Sequence, residues 1–264
     1  MTSDTRPEQV RILLGALWRF AAWNSQPVAQ TLSVPGRFNG PLHSGHGGYS
    51  SAVIAGCVAG PAEVTLRNPV PLDTPLEVRR EDAGSVRVLD GETLIAEAAP
   101  TPKLELEVPA PVAPEQARLA KTRYRGSTDD LFSHCFVCGR AREDALGVFA
   151  GTVEGREVVA SPWTPPPWTA DDSGHVVPEF IWAVMDCPTY FAVYREVRPL
   201  SFLGRMTARI DAPVPAGEEH VVIAWPISAD GRKHHAGAAV LSKKGDVLAV
   251  ARALMIEPQG GSGE

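Results

Sequence analysis

Two segments of the chain are apolar nearly all round, and the rest is arranged about them. GGYSSAVIAGCVAG (47–60) and PEFIWAVMDCPTYFAVYRE (178–196) both exceed ordinary strand length and carry no polar stripe. That combination predicts a buried helix in each place. The first opens on glycines. The second opens on Pro178 and Glu179, which suit a helix start: proline fits the first turn, and an acid complements the positive end of the dipole. Pro188 is expected to kink or end this helix just after Asp186.

Short strand-like runs separated by turns follow each apolar segment. EVTLRN (63–68) and MTARID (206–211) come first. Then NPVPLDTPLEVRRE (68–81) and DAPVPAGEEHVVIAW (211–225) each give a Pro-Val-Pro turn and a strand. VLDGETLIAEA (88–98) and VLSKKGDVLAVA (240–251) each read as strand, glycine-containing turn, strand. Matches in the same order predict an internal duplication, the second copy being longer upstream of its Pro-Val-Pro. VAQTLSVPG (28–36) reads as the first strand of copy one, and GVFAGTV (147–153) and EVVASPW (157–163) as the entering strands of copy two.

The organisation expected is an N-terminal repeat (1–105), a linker (106–133) and a C-terminal repeat (134–264). The linker is set by LEVPAPVAPEQARLAKTRYRGSTDD (106–130), which turns proline-rich, then polar, then charged. PEQVRILLGALWRFAAW (7–23) reads as an extra amphipathic helix before the first repeat. The fold class is α+β. An antiparallel sheet wrapped around one long apolar helix explains why neither helix has a polar face, and two such units side by side would behave as an internal dimer.

Composition narrows this picture. With 264 residues, 44% hydrophobic and 21% charged, the chain can bury a sizeable core. A net charge of −6 argues against a general nucleic-acid or anionic-membrane surface. No run approaches the roughly 18 apolar residues of a membrane span. MTSDTRPEQV has no basic-then-apolar signal pattern, so a cytoplasmic location is expected. Four cysteines are too few for a disulfide scaffold.

One residue breaks the second apolar segment. In FIWAVMDCPTYFAV (180–193), Asp186 is the single charge. Burying a carboxylate is costly unless it is paired or hydrogen-bonded, so its presence needs a reason.

Several short motifs resemble the hotdog-fold superfamily, especially its acyl-CoA thioesterases. They are FNGPLHSGHGGYSSAVIAG (38–56), where His46-Gly47-Gly48 opens the first helix, and HCFVCG (134–139) followed by LGVF (146–149). The resemblance covers about 28–100 and 134–257 and implies a double hotdog of two fused repeats. In the thioesterase pattern, His-Gly-Gly starts the helix and an acid stands nine positions after the His, the two coming from opposite partners of a dimer. Here Ala55 lies nine positions after His46, and Asp186 lies nine after Val177. Copy one therefore has the glycines without the acid, and copy two the acid without the glycines. One composite site per chain is implied, with Asp186 facing a polar cleft between the copies and the Ala55–Val177 counterpart dead.

The function so implied is hydrolysis of an acyl-CoA thioester, with coenzyme A entering as part of the substrate and no other cofactor. The Gly47 amide, at a positive helix end, would polarise the thioester carbonyl. His46 would fix the loop or hold a water, and Asp186 would act as general base or as nucleophile. Asn39, a few residues before His-Gly-Gly, is a further catalytic candidate, with Pro41 and His43 intervening. Gly48, Glu179 and Trp182 are candidates for substrate contact. Arg232 and Lys233, at a hairpin, would meet the phosphates of coenzyme A. Bulky residues around the second helix favour a short, branched or aromatic acyl group.

No metal is expected. Cys135-x-x-Cys138 with His134 is half of a zinc spacing and reads as a buried turn, and Cys187 reads as core. His234 and His235 are adjacent in a strand and point to opposite faces. Two other readings stay open: a hotdog dehydratase or hydratase on a hydroxyacyl or enoyl thioester, and a non-catalytic acyl-CoA binder. No nucleic-acid or membrane partner is expected, and a homodimer of double-hotdog chains is compatible with the pattern.

Overall fold

The computed structural model describes residues 30–126, 131–194 and 200–259. The helix expected over 7–23 lies outside them, as do residues 28 and 29 of the expected first strand.

Among the described residues eleven strands form one sheet: β1 (Gln30–Leu32), β2 (Ala62–Leu66), β3 (Leu76–Arg80), β4 (Val86–Asp90), β5 (Thr93–Pro100), β6 (Gly151–Thr152), β7 (Val159–Trp163), β8 (Phe202–Ile210), β9 (His220–Asp230), β10 (Lys233–Ser242) and β11 (Val247–Ile256). The spatial order is β1-β3-β4-β5-β2-β8-β11-β10-β9-β7-β6, and neighbouring strands are antiparallel. From the β2–β8 seam outward, one side reads β2-β5-β4-β3-β1 and the other β8-β11-β10-β9-β7. Each strand thus has a counterpart at the same distance from the seam, and β6 is an addition at the far edge. The seam pairs Val64 with Met206, both fully buried, so the halves share an apolar centre. The β4–β5 and β10–β11 hairpins fall where the sequence places strand-turn-strand.

Helix α1 (Gly47–Ala55) is nine residues long, shorter than the apolar run that predicts it. Gly56 caps it, and 57–60 turn away toward β2. Helix α3 (Pro178–Val193) is sixteen residues long and does not stop at Pro188. Proline there removes one backbone donor. The Thr189 hydroxyl donates to the Asp186 carbonyl at 2.7 Å, supplying a local side-chain donor beside the break. Packing against α1 and β9, β10 and β11 holds the rest of the helix in place.

The segment expected as a bare linker contains helix α2 (Pro114–Lys121). Its Ala117 and Ala120 pack on Val158, Ala160, Ile223 and Trp225. This explains why β9 has no polar alternation. Successive side chains point to opposite faces: Val221, Ile223 and Trp225 meet α2, while Val222 and Ala224 join the main core around α3. Along 221–225 both faces of the sheet are covered, so that stretch of the strand is apolar at every position. Gly151 permits the docking, since a Cβ there would stand 1.9 Å from the Ala120 carbonyl oxygen.

Candidate active site

The start of α1 runs into the middle of α3. His46 is the N-cap, its extended backbone ending the preceding loop and its Nδ1 accepting a long hydrogen bond from the Tyr49 N–H at 3.4 Å. The next two residues must be glycines because α3 leaves no room. A Cβ on Gly47 would lie 2.9 Å from Asp186 Oδ2 and from Leu203 Cβ. A Cβ on Gly48 would lie 2.7 Å from Asp186 Cβ and from the Trp182 carbonyl oxygen.

That approach places Asp186, the acid in the middle of α3, on the helix start of the other half. The Gly48 N–H donates to Asp186 Oδ2 at 2.7 Å, and His46 Nδ1 is 3.6 Å from the same oxygen. Helix starts carry unsatisfied N–H groups and positive potential, so this is a favourable place for a carboxylate. Asp186 is only 7% exposed. Burial pushes its carboxyl group above the usual range, while the His46 imidazole and the Gly48 N–H pull it partly back. Among the described residues the Gly47 N–H has no hydrogen-bond partner, although its neighbours at 46, 48, 49 and 50 do.

A cleft of about 750 Å³ opens beside these groups. His46, Gly47 and Asp186 lie on its wall, as does His43. Phe132, Tyr190, Phe191, Phe202 and Met255 give it a largely apolar lining. Arg232 lines it too, its guanidinium donating to the Glu257 carbonyl.

Other expected site residues stand elsewhere. Gly48 contributes its N–H to Asp186 and is not on the cleft wall. Asn39 is buried in a structural clamp: Nδ2 donates to the carbonyls of Gly40 at 3.1 Å and His134 at 3.0 Å, and Oδ1 accepts from Arg142 at 2.6 Å. It ties the loop before α1 to the 134 segment. Glu179 lies within electrostatic reach of Tyr49, and burial raises its carboxyl pKa. Trp182 is buried in the core and meets Gly48 through its carbonyl. Lys233 is exposed at the start of β10 and does not line the cleft.

Three cysteines gather at the same place. Cys135 and Cys138 lie on the cleft wall with Cys187, which is partly exposed rather than closed into the core. His46 Nε2 is 3.1 Å from Cys187 Sγ, and Cys187 Sγ is 3.7 Å from Cys135 Sγ. Burial pushes the Cys135 thiol up, but hydrogen bonds with Cys138 and Cys187 and the adjacent His46 imidazole outweigh it and hold it well below the usual thiol range. Burial lowers the His46 pKa, and the Cys135 sulfur and the Asp186 carboxylate more than reverse that. The Cys-x-x-Cys spacing was the sequence signal for this cluster. Its partners come from positions 46 and 187, not from His134.

No family model and no curated protein matches the chain. Solved structures do. The tesB protein of Mycobacterium avium subspecies paratuberculosis is similar over 95% of this chain and 98% of its own, at 16% identity and TM-score 0.55. A conserved protein of unknown function with a hot dog fold, from Alicyclobacillus acidocaldarius, is similar over 89% of this chain and 95% of its own, at 11% identity and TM-score 0.55. A protein from Novosphingobium aromaticivorans that carries a provisional thioesterase name is similar over 86% of this chain and 94% of its own, at 13% identity and TM-score 0.55. At such identities the likeness is one of fold, and fold alone does not fix activity. The chain has the hotdog fold, of α+β class.

Proposed function

We propose, from the premise of the hotdog fold, that this chain is a double hotdog that hydrolyses an acyl-CoA thioester at one composite site between its halves. The observation that carries the reading is the 2.7 Å hydrogen bond from the Gly48 N–H of one half to the Asp186 carboxylate of the other, on the edge of an apolar cleft. The mirror-like strand order about the β2–β8 seam supports two fused repeats. The names borne by two of the similar structures agree with thioester chemistry.

In this reading the acyl group lies among Phe132, Tyr190, Phe191 and Phe202, a lining suited to a short, branched or aromatic chain. The thioester oxygen accepts from the Gly47 N–H, the donor at the helix start that has no other described partner. One such donor contributes about 3 kcal/mol to a transition state. Asp186 takes a proton from water as the new C–O bond forms. The C–S bond then breaks, and the proton passes to the departing coenzyme A sulfur. If Asp186 instead attacks the carbonyl itself, expelling the coenzyme A thiolate, an acyl anhydride forms and water then cleaves it at the Asp186 carbonyl; single turnover in ¹⁸O water separates the routes, because the first labels the released acid and the second labels Asp186. His46 is a positioning residue: its two ring nitrogens are engaged with Tyr49 and Cys187, which fixes the loop that presents Gly47. Arg232 meets the phosphates of coenzyme A.

Release of coenzyme A from a panel of short, branched, aromatic and long acyl thioesters tests this. Wild-type chain is expected to turn over at least one of them, and Asp186→Asn to lose about 10²–10⁴-fold in kcat/KM on it while remaining folded. Equal release by both proteins on every thioester would remove Asp186 from the reaction. Tight binding without turnover by either would leave an acyl-CoA binder.

A further inference from the structure

We propose that His46, Cys135 and Cys187 bind one zinc ion through one imidazole and two thiolates, leaving a fourth position on the cleft side. The proposal stands independently of the thioesterase reading, because it rests on the ligand geometry alone.

The ligand atoms of His46, Cys135 and Cys187 lie within 4.8 Å of one another. A tetrahedral zinc with ordinary bond lengths sets about 3.8 Å between two sulfurs and about 3.5 Å between sulfur and nitrogen. The Cys135–Cys187 separation is 3.7 Å and the His46 Nε2–Cys187 separation 3.1 Å, so these two pairs match a zinc centre to within a few tenths of an ångström. Cys138 also lies on the cleft wall, but its sulfur is not one of this group, so three residues supply the ligands. Tetrahedral sites of sulfur and imidazole select zinc among the available divalent ions.

The surroundings are those a metal site needs. The turn carrying Cys135 and Cys138 sends the Val137 N–H toward Cys135 Sγ at 3.4 Å, a contact that favours thiolate over thiol. Gly139 closes that turn, and a Cβ there would stand 2.5 Å from the carbonyl oxygens of Cys135 and Ser133. His46 points Nε2 at the sulfurs and Nδ1 toward Asp186, 3.6 Å away. Zinc on Nε2 puts the ring proton on Nδ1, which then faces the Asp186 carboxylate as a donor and gives up the long contact from the Tyr49 N–H. His46 and Cys135 are also nearly inaccessible, at 2% and 1% exposure. A bound ion would tie the start of α1, the 135–138 turn and α3 together at the seam.

The test uses the full chain, purified and reduced. Zinc uptake is measured by competition with a chromogenic chelator, and cobalt uptake by absorption. The expected result is one zinc per chain, and a cobalt spectrum with the d–d bands of a tetrahedral ion and strong thiolate charge transfer. Cys135→Ser and Cys187→Ser should each weaken zinc binding by more than the roughly 10–100-fold that loss of an outer supporting contact costs. Cys57→Ser should leave it unchanged, because that thiol sits at the far end of α1 near the Val53 carbonyl. If the serine variants do not fold, the wild-type cobalt spectrum decides alone, and bands from fewer than two thiolates overturn the proposal. It is also overturned if the folded, reduced wild type takes up no stoichiometric zinc, if the double serine variant binds zinc as the wild type does, or if Cys135 and Cys187 are found as a disulfide that takes no metal after reduction.

Discussion

Gly48→Ala is the sharpest structural perturbation the seam offers. On an isolated helix the change would stabilise by up to about 1 kcal/mol, since alanine is the better helix former. Here the added methyl group would stand 2.7 Å from the Trp182 carbonyl oxygen and from Asp186 Cβ, and 3.1 Å from Ala183 Cα. Two of these three atoms are backbone of a helix packed on the sheet, so they cannot swing aside. Overpacking of this kind costs about 1–3 kcal/mol. Pushing α1 and α3 apart also stretches the 2.7 Å bond from the Gly48 N–H to the carboxylate, and a hydrogen bond to a charged group contributes about 1.5–3 kcal/mol. Set against the helix gain, the net loss is about 2–5 kcal/mol. Urea unfolding followed by circular dichroism reads this directly, as a lower midpoint at unchanged slope. An alanine variant as stable as wild type, or more so, would refute the close crossing of α1 on α3, and with it the placement of Asp186 on the helix start.

Three further perturbations test other parts of the account. Thr189→Val removes the hydroxyl that donates to the Asp186 carbonyl in the proline-bearing turn and should cost about 1 kcal/mol of unfolding free energy; no loss would mean that the hydroxyl does not support the helix past Pro188. Gly151→Ala would drive a methyl group into the Ala120 carbonyl, so hydrogen exchange over 114–121 should lose its protection while β10 and β11 keep theirs; unchanged protection would show that α2 is not docked there. Arg232→Ala should raise KM for a CoA thioester by about 10–100-fold and leave a truncated thioester without phosphates unaffected; equal effects on both would remove the phosphate role.

Much of the fold is legible because it follows from period and punctuation. The hairpins β4–β5 and β10–β11 are marked by glycine turns between apolar alternations, and both helices by apolar runs too long for strands. Gly47 and Gly48 mark a tight turn into α1 in the sequence, and only the structure shows that α3 is what crowds them. Helix α2 is not legible in this way. Its prolines and charges read as a linker, and the two alanines that dock it carry no hydrophobic signal of their own. Pro188 misleads for a related reason: local propensity predicts a break, and tertiary packing on both sides of α3 overrides it. Of the candidate site, Asp186, His46 and Gly47 lie together; it is the resemblance, not local periodicity, that marks them as a set. Asn39 goes to a backbone clamp completed by Arg142, a partner 103 positions away that no local pattern announces. Cys135-x-x-Cys138 announces only part of the sulfur cluster, and the rest is hidden for the same reason. Cys187 and His46 are separated by 141 positions, and only the meeting of the two halves puts them beside Cys135.

The central claim is that one bound thioester touches both halves at once. A crystal structure with a coenzyme A ketone, in which a methylene replaces the thioester sulfur, examines this most directly. The account predicts the ketone oxygen about 3 Å from the Gly47 nitrogen, with the Asp186 carboxylate facing the same carbonyl carbon. An acyl group seated away from the start of α1, or a carbonyl that meets Gly47 with Asp186 turned from it, would contradict the composite site.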